Sequence, residues 1–268
     1  MEALRQIDAW GAGHAAAGLA RAEGVVATHG HVDEPLRWAS VTKLVTALAT
    51  LVAAEEGTVD LDEPAGPEGS TVRHLLAHAS GLPFEGEVPI ARPGQRRIYS
   101  NTGFEQLAEH VGATAGIPLA RYAREAVLRP LGVRVELDGP AAGMVGTLVE
   151  MLVLAQELLA PTVVARETLA EATSVQFPGL AGVLPGIGRL EPNDWGLGFE
   201  LKDAKSPHWT GSANSSGTFG HFGGSGAFLW VDPERRLALA CLTDREFGDW
   251  ALQAWPKLSD QVLAEVGA

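Results

Sequence analysis

Ser40 and Lys43 stand three residues apart in Trp38-Ala-Ser-Val-Thr-Lys43, at the head of a long apolar stretch. On a helix that spacing puts both side chains on one face, one turn from each other. A serine hydroxyl is a poor nucleophile until a neighbouring base takes its proton. A lysine in an apolar, partly desolvated site loses its preference for the charged form, so its pKa falls and it can be that base. Orphan N–H groups and the positive dipole end at a helix N-terminus favour an alkoxide or a developing oxyanion. The plainer alternative is an N-capping serine with an exposed lysine in the first turn.

The segment that must position this pair argues for the chemical reading. Val41, Leu44, Val45, Ala47, Leu48, Ala49, Leu51, Val52, Ala53 and Ala54 leave no polar face. That pattern predicts a central helix, buried on all sides, running to about Glu56 and stopped by Gly57.

Two further groups of residues carry chemistry. Tyr99-Ser-Asn101 precedes a helix predicted from Thr102. A phenol shuttles protons when cations hold its pKa down, and an asparagine offers both a donor and an acceptor to an amide-like substrate. Without other support, Asn101 would be an N-cap with Tyr99 packed beneath it. The run Gly217-Thr-Phe-Gly-His221-Phe-Gly-Gly-Ser-Gly226 leads into a hairpin. Glycines at a strand edge let a substrate approach backbone N–H groups, and His221 could orient a carboxylate or carbonyl. The run is not a dinucleotide fingerprint, because its glycine spacing fails and a strand follows it.

The remaining elements follow from apolar spacing. The first residues to about Arg21 read as a helix and Val25–His31 as a strand. Helices are predicted over Thr71–Ala79, Thr102–Thr114, Leu119–Leu128, Thr147–Ala160 and Ala165–Thr173. Strands are predicted over Trp195–Leu201 and Gly217–His221, then a hairpin of Ala227–Val231 and Leu237–Thr243 turning at Asp232–Arg235. Asp249–Val266 reads as a closing amphipathic helix. Strands near both ends with helices between predict a sheet domain from residues 1–62 and 189–268 and a mainly helical insertion, 63–188, with the active site in the cleft between them.

Taken together, the three motifs in this order resemble the serine β-lactamase and penicillin-binding protein superfamily, in the branch that holds class C β-lactamases, family VIII esterases and D-aminopeptidases. Ser40/Lys43, Tyr99/Asn101 and His221/Gly223 match its S-x-x-K, Tyr-x-Asn and Lys/His-x-Gly motifs. His74-Leu-Leu-Ala-His-Ala-Ser-Gly-Leu-Pro83, Ala142-Gly-Met144, Trp195-Gly-Leu-Gly-Phe199 and Val231-Asp-Pro-Glu234 also look like family landmarks, so the likeness runs from about Ala20 to Thr243. It implies an α+β fold, an antiparallel sheet flanked by helices. It further implies that Ser40 is acylated with Lys43 as base and that Tyr99 relays the proton. Asn101, His221 and Gly223 would then bind substrate, and the backbone N–H groups of Ser40 and Gly224 would form the oxyanion hole. No cofactor or metal is implied, and the partner is a small-molecule acyl substrate.

There are departures from the branch. Histidine stands where many relatives carry a lysine, and a neutral imidazole is a weaker anchor for a β-lactam carboxylate. The chain, at 268 residues, is short for the branch, which predicts trimmed helical-domain loops and a more open cleft. Esterase-like specificity is therefore expected ahead of β-lactamase or D-amino acid amidase activity. A degenerate module that binds acyl compounds or another protein without turnover is the non-enzymatic alternative.

Composition narrows the partners. A net charge of −13 without any basic run argues against nucleic acid and against an anionic membrane surface. One cysteine, Cys241, permits no internal disulfide, and the start MEALRQIDAW has no basic region leading into an apolar one, so the cytoplasm is the expected location. The pairs His29/His31 and His74/His78 have zinc-compatible spacing, but His74-Leu-Leu-Ala-His78 lacks the glutamate of H-E-x-x-H, and surface or packing roles are expected for them. No G-x-S-x-G is present for a nucleophile elbow. Substrate identity and oligomeric state stay open at this level.

Overall fold

A computed structural model describes residues 1–267. A short 3₁₀ turn, Ala3–Ala9, leads into β1 (Ala15–Arg21), β2 (Gly24–Gly30) and β3 (Leu36–Arg37). A second 3₁₀ turn, Ala39–Val41, opens α1 (Thr42–Glu55), followed by α2 (Val72–Leu76), β4 (Arg97–Ile98), α3 (Asn101–Ala115) and α4 (Leu119–Ala123), which continues as a π turn over Arg124–Leu128. Next come β5 (Val145–Gly146), α5 (Leu148–Leu159), α6 (Arg166–Ala172), β6 (Gly182–Leu184) and β7 (Gly188–Leu190). The chain ends with β8 (Glu200–Leu201), β9 (Phe219–Gly223), β10 (Ala227–Asp232), β11 (Leu237–Thr243) and α7 (Asp249–Gly267). Among the described residues no helix is long and apolar enough to cross a membrane.

Six strands form one antiparallel sheet in the order β2-β1-β11-β10-β9-β8. Its central strands are buried along their whole length, and alternate residues go to opposite sides. Leu229, Val231, Ala238, Ala240 and Leu242 pack with α1 and α5, while Phe228, Trp230, Leu237, Leu239 and Cys241 pack with α7 and the N-terminal turn. A sheet covered on both faces needs apolar residues at every position, which is why β10 and β11 read as unbroken apolar runs.

The N-terminal helix expected to run to Arg21 stops at Ala9, and Ala15–Arg21 is a central strand. Alanines favour a helix by propensity, but here their small size serves the packing of α5 on the sheet. A Cβ at Gly18 would lie 2.7 Å from a Leu152 methyl. Helix α5, expected within the 63–188 insertion, thus packs on β1, β10 and β11. The 63–188 stretch also carries three short strands, β4 to β6, and β7 begins at its last residue.

The strand expected over Trp195–Leu201 is mostly a tight turn. Trp195 bridges Glu200 and the Gly196 N–H donates to the Phe199 carbonyl, so only Glu200–Leu201 joins the sheet, against Phe219 and Gly220 of β9. The outer edge of His221–Gly223 is left free of a strand partner.

Helix α1 is the central buried rod, enclosed from Thr42 to Ala53. Its polar side chains find local partners: Thr46 Oγ1 donates to the Pro140 carbonyl at 2.7 Å, Thr50 Oγ1 to the Thr46 carbonyl at 2.9 Å, and Thr42 Oγ1 accepts from the Met144 N–H at 3.1 Å. The Trp38 N–H in turn donates to the Met144 carbonyl at 2.9 Å. Residues 140–144 thereby fix the entry of α1.

Candidate active site

Ser40 lies in the 3₁₀ turn just ahead of α1, between the end of β9 and the loop before α3. Ala39 before it holds φ +45°, a left-handed conformation that costs a non-glycine residue free energy. The turn is pressed against β9: a Cβ on Gly223 would lie 2.5 Å from the Trp38 carbonyl oxygen and 3.2 Å from the Ser40 nitrogen. Only glycine permits that approach, which brings the β9 edge beside the Ser40 backbone. A Cβ on Gly224 would meet nothing within 4 Å, so the next peptide faces open space.

Lys43 is fully buried at the first turn of α1. Its Nζ donates to Asn101 Oδ1 at 2.7 Å and to the Ala141 carbonyl at 2.8 Å, and sits over the Tyr99 and Phe104 rings. Burial lowers its pKa to about 7, against a smaller upward pull from Glu105. The two hydrogen-bond partners are neutral acceptors. A neutral amine can satisfy both with its two protons and keep its lone pair for a third group.

Asn101 is the first residue of α3, but the cap is Ser100, whose Oγ accepts from the Gly103 N–H at 2.9 Å. Asn101 is thereby free to hold the lysine. Tyr99 packs against the Trp195, His221 and Phe84 rings. Burial pushes its phenol well above the ordinary value, and the nearby Ser40 hydroxyl only partly opposes this. The expectation that cations hold the phenol down is corrected by that burial: Tyr99 is a neutral proton donor at physiological pH.

His221 Nδ1 donates to the Phe222 carbonyl at 2.7 Å, which leaves Nε2 as an acceptor facing the Tyr99 hydroxyl at 3.4 Å. Burial, helped by Lys43, lowers its pKa to about 3. The ring is neutral, so a role for His221 as a charged carboxylate anchor does not fit its surroundings. It faces the phenol instead.

Ser40, Tyr99, His221 and Gly224 share one cavity of about 190 Å³, walled by Phe84, Leu184, Trp195, Phe222 and Phe247. The structure thus brings every expected site residue to one place. The cavity is a narrow slot, because Phe84, Phe247 and residues 184–186 stand around it. A groove lined by Ala39, Gly224, Arg37, Asp244 and Glu246 continues from the other side of the Ser40 turn.

Sequence reasoning missed the apolar wall and His78. The Trp195-Gly-Leu-Gly motif marked its residue without a role, while Phe84 and Phe247 carried no local signal. His78 is buried beside Tyr99, Phe104 and Trp195. The zinc-spaced pairs separate: His74 stacks on Phe177 and His29 meets Asp8, while His31 lies against His14. Among the described residues no group of three His, Cys, Asp or Glu is placed to hold a metal ion.

Comparison with known proteins finds a matching family and several similar chains. The family described as Beta-lactamase matches residues 7–135 and 132–263. A solved beta-lactamase from Mycobacterium bovis is 55% identical, with a TM-score of 0.97 over 98% of each chain. The hydrolase EstCE1, with promiscuous acyltransferase activity, shares the fold at 19% identity and a TM-score of 0.78, over 97% of this chain and 96% of that one. The D-alanyl-D-alanine-carboxypeptidase/endopeptidase AmpH of Escherichia coli (strain K12) is 28% identical over 140 residues, covering 38% of this chain and 36% of AmpH. The monacolin J acid methylbutanoyltransferase of Aspergillus terreus is 28% identical over 155 residues, 38% of this chain and 37% of that protein. The match spans little more than a third of the length of these two relatives.

Proposed function

We propose a serine acyl hydrolase for this chain, which belongs to the beta-lactamase family. It cleaves uncharged acyl bonds, esters foremost, through a Ser40 acyl-enzyme. The observation that carries this reading is Lys43, a buried amine given two neutral acceptors and a pKa of about 7 one helical turn from a serine.

The steps balance as follows. Ser40 Oγ attacks the acyl carbon while its proton passes to the Lys43 lone pair. The oxyanion is held by the backbone N–H groups of Ser40 and Gly224, where one such donor is typically worth ~3 kcal/mol of barrier. Collapse breaks the bond to the leaving alkoxide, which takes a proton from Tyr99, and Tyr99 is refilled from Lys43. Water then attacks the acyl carbon and passes a proton to the same pair; collapse breaks the bond from Ser40 Oγ to the acyl carbon, releases the acid, and Ser40 Oγ takes that proton back. His221 accepts from the Tyr99 hydroxyl and steadies it, and Asn101 holds Lys43 through Oδ1 and offers its amide N–H to the substrate.

The wall of Phe84, Trp195, Phe222, Phe247 and Leu184 supports a short apolar acyl group, since about 190 Å³ holds roughly six water-sized groups. None of the side chains lining the slot is a lysine or arginine. β-Lactam hydrolysis is the second reading, favoured by the likeness to the Mycobacterium bovis protein. Kinetics on a short-chain ester, a chromogenic cephalosporin and a D-amino acid amide, run side by side, decide between them. The ester should give the highest kcat/KM, and a cephalosporin preferred to it would establish the second reading. Intact mass after a fluorophosphonate probe tests turnover chemistry itself: an adduct on wild type that is lost in Ser40→Ala is expected. An unmodified wild type would make the chain a binding module.

A further inference from the structure

We infer that His78 is a positioning residue that sets the Tyr99 phenol over the slot by gripping the backbone on both sides of it. The His78 carbonyl accepts from the Ile98 N–H at 2.9 Å, and its ring Nδ1 accepts from the Ser100 N–H at 3.2 Å. The residues held are those immediately before and after Tyr99. The ring also lies against the phenol, with centroids 4.5 Å apart. One residue therefore fixes the site tyrosine from three directions.

The geometry is unusual enough to need a reason. His78 holds φ +54°, a conformation that non-glycine residues seldom adopt. It turns the carbonyl and the ring of one residue toward the same passing strand. Nδ1 acts as an acceptor, so the ring is the tautomer with its proton on Nε2, and that buried N–H has no hydrogen-bond partner. An unpaired buried donor carries a cost that an apolar ring of similar size would avoid. The acceptor at Nδ1 is what a phenylalanine cannot supply. Burial above all, then Lys43, His221 and Arg97, disfavours a charge on the ring.

The inference rests on the serine-hydrolase reading, and two variants test it. His78→Phe keeps the bulk and removes the acceptor. His78→Asn loses bulk, places an amide oxygen near the Nδ1 position and tolerates positive φ. A displacement of about 1 Å in a catalytic group can cost ~10²-fold. His78→Phe should therefore lose ~10²-fold in kcat on a short-chain ester, with KM within about twofold and the pH inflection near 7 kept. His78→Asn should recover most of that loss although it packs less well, and melt no higher than His78→Phe.

Crystal structures of both variants give a readout free of activity: the Tyr99 hydroxyl displaced in His78→Phe and in place in His78→Asn. Wild-type kcat in His78→Phe would overturn the inference, as would equal losses in the two variants, which point to packing alone. A shifted pH inflection in His78→Phe would also overturn it, because His78 would then act on Lys43. Failure of the wild type to take the fluorophosphonate sinks the hydrolase reading instead, while the crystallographic comparison still judges the grip on Tyr99.

Discussion

Two lysines are buried among the described residues, and their partners differ in kind. Lys43 donates to an amide oxygen and a backbone carbonyl, both neutral. Lys205 donates to the Asp194 and Leu201 carbonyls and to the Glu200 carboxylate. Burial lowers both amines, but only Lys205 has a contacting anion to oppose it. Glu200 is itself buried, and burial alone would raise its pKa. His208 and Lys205 together outweigh that and bring it to about 2. The His208 and Trp209 N–H groups complete its hydrogen bonds, at 2.8 and 2.9 Å. The first arrangement keeps an amine ready to take a proton. The second locks a charge pair behind Trp195, whose ring lies under Lys205 Nζ at 5.9 Å. The same side chain, buried in both places, thus serves chemistry in the proposed mechanism and architecture elsewhere, according to whether a carboxylate touches it.

The comparison breaks most easily at its catalytic end. Lys43→Ala should lower kcat/KM by ~10²–10⁴ while the protein stays folded. Turnover like wild type would remove the amine from the mechanism. Lys43→Met should be equally inactive and melt several degrees higher at pH 6, because it ends the burial of a charge. Lys205→Met should do the reverse. It strands Glu200 and should cost about 3–5 kcal/mol of stability by denaturant titration, with Lys205→Met/Glu200→Gln recovering part of it. A neutral Lys205→Met would show that the pair is not structural.

Smaller effects sharpen the contrast through pH. The folded Lys43 value, about 7, lies below the unfolded one, so the unfolded chain holds more protons between about 7 and 10.4. Stability from this group should rise with pH across that window, and Lys43→Met should flatten the rise. Glu200 has its folded value depressed, so its contribution is present above about 4.3 and lost as pH falls toward 2. Buried His78 and His221 are likewise neutral in the fold. Each should remove about 1.4 kcal/mol per pH unit as the pH falls below about 6.5, and a stability curve flat between pH 6 and 4 would contradict their burial.

What the sequence made legible follows the same division. Ser40 and Lys43 could be read because the apolar span that buries Lys43 and begins just after Ser40 is continuous in the chain. The β10–β11 hairpin could be read because Asp232-Pro-Glu-Arg235 turns between two apolar runs. The strand nature of Ala15–Arg21 could not, since its alanines and Gly18 answer to Leu148 and Leu152, far off in sequence. Nor could the raised Tyr99 phenol, whose burial is made with Trp195, Phe84 and His221. His78 was visible as one member of a histidine pair and inside the His74–Pro83 landmark, in neither case with a role. Its grip on residues 98 and 100 depends on a positive φ that no spacing announces.

The most direct test of the central claim is the rate of Ser40 labelling by a fluorophosphonate as a function of pH. The account predicts a rate that climbs with pH around a midpoint near 7, the value burial gives Lys43, and that vanishes in Ser40→Ala. A rate independent of pH, or one that climbs only near the ordinary lysine value of about 10.4, would contradict it.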